Sequence, residues 1–179
     1  FEGKKVAVLL DMPASSSGSS IHQALWSAML AARAEGVGST LTTVLGAFRP
    51  RETLDLYGVD AAPTDDYGRR CLLARKLVEQ GVRFVCVVSG GGPGGMQWDA
   101  HSDIEENHLR KAAETDKPVA ALLTDLKRRG LWDSTLVIWG GEFGRMPVSQ
   151  GNGGRDHNPH GFLAWMAGAG IQGGTSYGE

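Results

Sequence analysis

The sequence predicts an α/β fold, in which a partial, doubly wound and mainly parallel sheet is flanked by helices. Helical patterns alternate with short apolar runs along the second half of the chain, and glycine ends the helical patterns. Two of the runs, residues 82–88 and 136–139, are almost wholly apolar. A helix that ends at glycine and leads into a continuous apolar strand is typical of a parallel sheet buried on both faces.

Before residue 36 the sequence predicts a strand, a serine-rich loop and a helix, over residues 4–10, 13–20 and 21–34. A short β-branched run favours the strand, and apolar residues at helical spacing favour the helix. Glycine and proline interrupt residues 36–63, which we interpret as a connector with a short helix over 51–57.

From residue 65 the predicted order is helix, strand, helix, strand, loop, strand. The helices cover residues 67–80 and 104–129, and the strands cover residues 82–88, 136–139 and 162–167. Apolar residues recur every three or four positions in both helices, and we expect Pro118 to kink or divide the longer one. The 179 residues suffice for one domain with a core of its own. We therefore predict a single α/β domain over residues 1–179.

Charge and hydropathy exclude two classes of partner. Eighteen basic and twenty acidic residues give a net charge of -2, without a basic block of the kind that binds nucleic acid. The longest apolar runs are about half the length of the roughly 20 residues that a membrane span needs, so no membrane segment is expected. Phe1 is an unusual first residue, so we expect a piece of a longer chain and leave the cellular location open.

Three polar clusters lie next to predicted strands, where open parallel sheets place their ligand sites. They supply carboxylate, imidazole and guanidinium groups: Asp99, His101, Glu142, Arg145, Arg155, Asp156, His157 and His160. Oxygen and nitrogen donors of this kind suit zinc, manganese or calcium rather than a metal that seeks thiolates. The glycines around each cluster let the backbone approach a ligand closely. The clusters therefore predict a divalent metal site.

Each cluster also has a plainer interpretation. Arg145 and Arg155 carry planar forks that grip phosphate or sulfate oxygens, but Arg145 is equally an ordinary ion-pair partner. Glu142 is either a metal ligand or the cap of a helix beginning within residues 144–147. The serines of residues 15–20 follow Asp11, where a nucleophile could stand at a helix N-terminus, although a flexible serine-rich loop explains them as well.

Four blocks carry a resemblance to a known family: YGRRCLLARKLVEQGVRFV, GGGPGGMQWDAHSDIEENH, LLTDLKRRGLWDSTLVIWGGEFGR and GNGGRDHNPHGFLAWMAGAGIQGG. In this order they resemble the C-terminal half of the sulfatase-like family catalogued as domain of unknown function 1501, in the alkaline phosphatase superfamily. The resemblance extends over residues 67–178, and residues 1–50 match the family poorly. It implies an alkaline phosphatase-like fold, of which this chain would be a fragment, and an exported or periplasmic protein.

The superfamily mechanism implied by the resemblance uses one or two metals to activate a hydroxyl or formylglycine nucleophile against a phosphoryl or sulfuryl group. Asp99 and His101 resemble ligands of one metal, joined by His157. Glu142 stands where the superfamily more often has an Asp-His pair, and its neighbour Phe143 cannot ligate. This departure makes a single metal, or a metal other than zinc, an alternative to a two-zinc site.

We therefore predict a metal-dependent hydrolase of phosphate or sulfate esters, catalytically incomplete in this piece, that acts on a small-molecule or glycan ester. The predicted metal ligands, most simply for zinc, are Asp99, His101, Glu142, Asp156 and His157. Arg145 is the predicted catalytic residue, and Arg155 and His160 are predicted to bind the substrate. An exposed sheet edge would favour a homo-oligomer.

Two other classes of function remain open from the sequence. In a non-catalytic module, the same clusters would bind a structural metal or an anionic glycan. A dinucleotide-binding domain is suggested only by the glycine loop over residues 90–95, which lacks the Gly-x-Gly-x-x-Gly pattern at the start of a helix.

Overall fold

The computed structural model describes residues 5–10, 39–41, 51–90, 98–149 and 151–178, the first two segments by their backbone alone. The predicted helix over residues 21–34, the serine-rich loop over 13–20 and Asp11 lie outside the described residues, as does most of the glycine loop.

The described strands are, in chain order, β1 (Lys5–Leu10), β2 (Ser39–Leu41), β3 (Phe84–Val88), β4 (Thr135–Gly140), β5 (Gly144–Arg145), β6 (His157–Asn158) and β7 (Ala164–Gly168). Five of them form one sheet in the order β2-β3-β1-β4-β7. The β2–β3, β3–β1 and β1–β4 pairs are parallel, whereas β7 runs antiparallel to β4. Strands β5 and β6 form a separate antiparallel pair.

The described helices are α1 (Arg51–Tyr57), α2 (Asp65–Glu79) and α3 (Ile104–Arg128), followed by a 3-10 turn over Trp132–Ser134. Helix α2 has Asp65 and Asp66 in its first turn and Lys76 in its last, which complements the helix dipole. It ends before Gly81, whose φ of 95° is the left-handed conformation that glycine adopts without strain.

The hydrophobic core lies between these three helices and the sheet. Leu122 and Leu126 of α3 are almost fully buried in the same cluster as Val85 and Val87 of β3 and Val137 of β4. Burial of each such side chain stabilises the fold by about 1.5–3 kcal/mol. The core therefore fixes the carboxyl ends of β3 and β4, from which two of the predicted polar clusters follow.

A buried ionic network ties the helices together. Asp125 of α3 accepts hydrogen bonds from the Tyr57 hydroxyl, at 3.1 Å, and from Arg129 Nε, at 2.7 Å. Arg75 of α2 is 2% exposed, and its Nε lies 2.8 Å from Asp125 Oδ2. Burial and the neighbouring Asp125 raise the pKa of Tyr57, so its hydroxyl stays a donor. The network links α1, α2 and α3 through one carboxylate.

The α/β class is confirmed, but the sheet is mixed. Strand β7 is antiparallel because no helix crosses back between β4 and β7 in the described part of residues 141–163, and parallel strands need such a crossover. The doubly wound arrangement stays a prediction, since the three described helices share one core.

Individual elements differ from their predictions in three places. Helix α3 continues through Pro118, so this proline does not divide the helix, and a kink there stays a prediction. Strand β2 lies inside the predicted connector, and β5 occupies Gly144–Arg145, where a helix capped by Glu142 was the alternative. Strands of two or three residues are too short to show the alternation of apolar and polar residues by which a strand is recognised in sequence.

Apolar side chains are exposed around β7, which is the last strand at its edge of the described sheet. Phe162, Leu163, Trp165 and Met166 are all exposed, as is Leu109 on α3. A homo-oligomer through this edge stays a prediction. Among the described helices, none has the length and apolar character that a membrane crossing requires.

Candidate metal centre

Backbone hydrogen bonds bring together two loops that are distant in sequence. The loop after the glycine-rich segment carries Ala100 and Asp103, and it pairs with residues 152–155. Arg155 N donates to Ala100 O at 2.9 Å, and Asp103 N donates to Asn152 O at 2.9 Å. At the start of α3, Ile104 N donates to Gly153 O at 3.1 Å. The first and third polar clusters are therefore joined through their main chains.

Glycine is required where these loops touch. A Cβ on Gly154 would lie 2.0 Å from the carbonyl carbon and oxygen of His101, and one on Gly151 would lie 2.6 Å from the same oxygen. Any larger residue at position 154 would displace the backbone that carries His101. The glycines of the third cluster thus set how closely its side chains approach those of the first.

The second cluster joins the third through the β5–β6 pair. Arg145 lies directly opposite His157 in its register, and Met146 N donates to Asp156 O at 2.8 Å. Gly144 N donates to Gly161 O at 2.7 Å and extends the pairing. All three predicted clusters therefore meet at one place beyond the carboxyl ends of β3 and β4.

Three ligand atoms form a nearly equilateral triangle at this place. Asp99 Oδ1 lies 2.9 Å from His157 Nε2 and 3.1 Å from His101 Nε2, and the two Nε2 atoms are 3.0 Å apart. Each Nε2 carries at most one proton and the carboxylate accepts only, so hydrogen bonds can occupy at most two of the three edges. At least one edge therefore has no hydrogen bond, and a cation bound by all three atoms would account for the close approach at every edge.

The size of the triangle fits a divalent metal. For metal–ligand bonds of about 2.1 Å, neighbouring ligands lie about 3.0 Å apart in an octahedral site and about 3.4 Å apart in a tetrahedral one. The observed edges of 2.9 to 3.1 Å match the octahedral spacing and need only slight opening for the tetrahedral one. His101 and His157 are exposed and Asp99 is partly buried, so the face of the triangle is accessible.

Asp99 is held ionised by its neighbours. Burial raises its pKa, but the hydrogen bond from His157 and the charge of Arg145 outweigh burial and leave the pKa below its ordinary value. Arg145 Nη1 donates to Asp99 Oδ1 at 2.6 Å, and Arg145 Nη2 donates to Glu142 Oε1 at 3.0 Å. Arg145 therefore bridges the two carboxylates.

Two aromatic side chains support the site. Trp98 donates from Nε1 to Ser89 Oγ at 3.3 Å, and its ring packs edge-on against Trp139 with centroids 6.1 Å apart. The ring of Phe143 lies 4.7 Å from that of His157, and Arg145 Cζ is 5.4 Å from its centre. Trp98, the residue before Asp99, is thereby anchored to the end of the sheet. Phe143 packs against both His157 and Arg145.

A model of the family described as "Protein of unknown function (DUF1501)" matches residues 18–179. The chain belongs to this family. The match covers all three clusters and begins well upstream of the blocks that carry the resemblance in sequence.

Solved structures similar to this DUF1501 chain include the lipoteichoic acid synthase LtaP from Listeria monocytogenes, at 14% identity and a TM-score of 0.36 over 82% of this chain and 35% of that one. A mutant of TAB5 alkaline phosphatase with Mg bound in its M3 site is 14% identical, with a TM-score of 0.31 over 94% of this chain and 62% of that one. The chain thus spans less than two thirds of the length of these proteins. No curated protein matches it.

Of the five predicted metal ligands in this DUF1501 chain, three form the triangle and two lie outside it. Asp99, His101 and His157 form the triangle, while Glu142 is connected to it through Arg145. Asp156 Oδ1 lies 3.3 Å from Nδ1 of His101, the ring nitrogen that faces away from the triangle. Glu142 and Asp156 lie outside the set of described acidic and histidine residues that converge on one point.

The two predicted substrate-binding residues make hydrogen bonds within their own loop. Arg155 Nη1 donates to Gly154 O at 2.6 Å, and the His160 main chain donates to Asn158 Oδ1 at 3.2 Å. Both contacts are local to the loop that carries them, so these contacts indicate a role in its conformation. Binding of a substrate by either side chain stays a prediction.

Sequence reasoning did not assign roles to Trp98, Phe143 or Gly154. The first two are direct neighbours of predicted ligands, Asp99 and Glu142, and adjacency to a ligand is the signal that could have found them. Gly154 is one of several glycines around the third cluster, and nothing in the sequence distinguishes the one that touches His101.

Proposed function

We propose that this protein is a metal-dependent hydrolase of phosphate or sulfate esters, in which Asp99, His101 and His157 bind one divalent cation. The observation that carries the proposal is the triangle of three ligand atoms with edges of 2.9 to 3.1 Å. Its ligands come from segments more than 50 positions apart, which folding brings together on an accessible surface.

The ligand set favours zinc or manganese over calcium. Two imidazole nitrogens and one carboxylate are a common set for catalytic zinc, and the same set also holds iron(II). Calcium prefers six to eight oxygen ligands, which this triangle does not offer. Three protein ligands would leave coordination positions open toward solvent, as catalytic sites require.

The side chains around the triangle suit a tetrahedral anionic group. Arg145 has a permanently charged planar fork beside Asp99, at a point where phosphate or sulfate oxygens could accept hydrogen bonds from it. Glu142 holds that fork in place from the other side. A bound divalent cation would supply Lewis-acid stabilisation of negative charge and activation of water. The candidate nucleophile is a serine of residues 15–20, with Asp11 as a metal-bound carboxylate beside it.

One observation favours the alternative of a non-catalytic metal-binding or anionic-glycan-binding module. Arg145 already donates to both Asp99 and Glu142, so its fork is satisfied within the protein. An arginine that stays in this arrangement would support the site without contacting a substrate. Turnover, rather than metal binding, separates the two functions.

The experiment is an assay of the full-length product of the gene that encodes this chain, purified without affinity metals. Hydrolysis of p-nitrophenyl phosphate and p-nitrophenyl sulfate is measured with added zinc or manganese. We expect metal-dependent hydrolysis of at least one ester, lost in His157→Ala, whereas His160→Ala should raise KM and keep the metal dependence. A protein that binds metal but hydrolyses neither ester would support the binding module instead.

The same assay addresses the nucleophile. Loss of turnover in Asp11→Asn and in serine-to-alanine variants of residues 15–20 would assign it to that segment. Turnover that survives these changes but is lost in His157→Ala would point to metal-bound hydroxide as the attacking group.

A further inference from the structure

The imidazole of His101 is held between two consecutive residues. Its Nε2 atom lies 3.0 Å from Nε2 of His157, on the side of the triangle. Its Nδ1 atom lies 3.3 Å from Asp156 Oδ1, on the opposite side of the ring. The two nitrogens of one ring therefore face different chemical groups, the ligand triangle on one side and a carboxylate on the other.

Main-chain hydrogen bonds hold the backbone of Asp156 beside His101. Met146 N donates to Asp156 O at 2.8 Å, and Asp156 N donates to Val148 O at 3.3 Å. The preceding residue, Arg155, is bound through its main chain to Ala100, next to His101 itself. Asp156 is thus held by pairing on both of its backbone groups, which places its side chain next to the loop that carries His101.

We propose that Asp156 is a positioning residue, which holds His101 as the tautomer with a proton on Nδ1 so that the Nε2 lone pair faces the cation. The inference rests on the metal site of the proposed function and assigns Asp156 a role other than direct ligation. A neutral imidazole has one donor and one acceptor nitrogen, and the hydrogen bond at one nitrogen determines which atom can ligate. Carboxylates in this position also make the ligand more basic.

The inference predicts a graded loss of metal affinity. Asp156→Asn keeps the shape and an accepting oxygen but loses the charge, and Asp156→Ala loses both. Changes in partners of metal-bound histidines typically reduce metal affinity by about 10- to 100-fold. We expect zinc affinity, measured by isothermal titration of the 179-residue chain, to fall by about 10-fold in the first variant and toward 100-fold in the second.

Asp103→Asn is the matched control. Asp103 is exposed, borders the same cleft as His101, and makes no side-chain cap hydrogen bond at the start of α3. Its φ of 47° is in the left-handed region, which asparagine tolerates well. The substitution removes one negative charge close to the site without removing a partner of His101. We expect zinc affinity within about threefold of the wild-type value, since charge alone at an exposed position is weakly felt.

A second measurement reports which ring nitrogen of His101 binds zinc. In zinc-loaded protein with ¹⁵N-labelled histidine, we expect His101 to be coordinated through Nε2 and protonated at Nδ1. In Asp156→Ala, coordination by His101 should divide between the two nitrogens or disappear, while the urea midpoint of the metal-free protein stays close to that of Asp103→Asn. A purely structural role for Asp156 would lower the midpoint and leave the coordinating nitrogen unchanged.

Three results would overturn the inference. Zinc affinities of both Asp156 variants equal to that of Asp103→Asn would show that the contact has no effect on the site. Weaker affinity of Asp156→Ala with His101 still coordinated only through Nε2 would show that Asp156 does not determine the tautomer of His101. Failure of the wild-type chain to bind any metal would refute the proposed metal site and this inference with it, whereas the first two results refute the inference alone.

Discussion

Two regions of the molecule use the same chemical groups in opposite ways. In the core, Asp125 is 5% exposed, and its two carboxylate oxygens are in contact with Tyr57, Arg75 and Arg129. At the loop edge, one oxygen of Asp99 is approached by Arg145, His101 and His157 together. The first carboxylate is buried and saturated, and the second is crowded by nitrogen atoms on an accessible surface.

The difference separates a structural role from a binding role. Charges buried in the core must be paired, and removing one partner leaves the other without compensation. Charges at the edge are within reach of water, so their arrangement contributes less to folding and can serve a ligand. We therefore expect substitutions in the core network to change stability, and substitutions at the edge to change metal affinity.

The largest expected effect is on stability, in Arg75→Leu. The change removes the guanidinium beside Asp125, and breaking a buried pair by removing one partner costs about 3–5 kcal/mol. Urea unfolding of the metal-free chain measures it. The matched control is Arg69→Leu on the same helix, which removes half-exposed pairs with Asp60 and Asp65 and should cost at most about 1 kcal/mol. Equal losses in the two variants would contradict the claim that burial makes the core network costly to break.

Gly154→Ala should damage the edge while leaving the core network intact. The new Cβ would fall 2.0 Å from the His101 carbonyl group, so the two loops must separate. Overpacking of this kind costs about 1–3 kcal/mol, and we expect zinc affinity to fall by more than tenfold. The control is Gly173→Ala, where a Cβ would meet nothing within 4 Å. Unchanged zinc affinity in Gly154→Ala would show that contact between the loops does not shape the site.

Arg145→Lys should show whether Arg145 contacts the substrate in addition to its two carboxylate partners. Lysine keeps the charge but cannot donate to Asp99 and Glu142 with one planar fork. If Arg145 also contacts the substrate, KM for the hydrolysed ester should rise about tenfold, or about 1.4 kcal/mol, with zinc content unchanged. Kinetics of the full-length product equal to the wild type would leave Arg145 as an ion-pair partner only.

The smallest expected effect is that of Trp98→Phe. The substitution keeps an aromatic ring near Trp139 but removes the 3.3 Å hydrogen bond to Ser89 Oγ. The free energy of unfolding should fall by about 1 kcal/mol, and zinc affinity should change little. Isothermal titration and urea unfolding on the same preparations test both statements. A loss of zinc affinity as large as that of Gly154→Ala would make Trp98 essential for the position of Asp99.

The sequence predicts the regular part of the fold and the location of the site, but not the connections within the site. Continuous apolar runs identify β3 and β4, and the polar residues after them are the ones that meet. Strands β5 and β6 have two residues each and carry no periodic signal, yet they place Arg145 opposite His157. The contact of Asp156 with Nδ1 of His101 depends on tertiary pairing between loops, which local patterns do not encode.

The most direct test of the metal site is a zinc titration of the 179-residue chain by isothermal calorimetry, repeated for His101→Ala, His157→Ala and His160→Ala. We predict one equivalent of zinc in the wild type and in His160→Ala, with affinity reduced by about 100-fold or more when either ligand histidine is removed, since two of three protein ligands cannot form the site. A wild-type chain that takes up no zinc or manganese, or equal losses in all three variants, would contradict the assignment of Asp99, His101 and His157 as a metal centre.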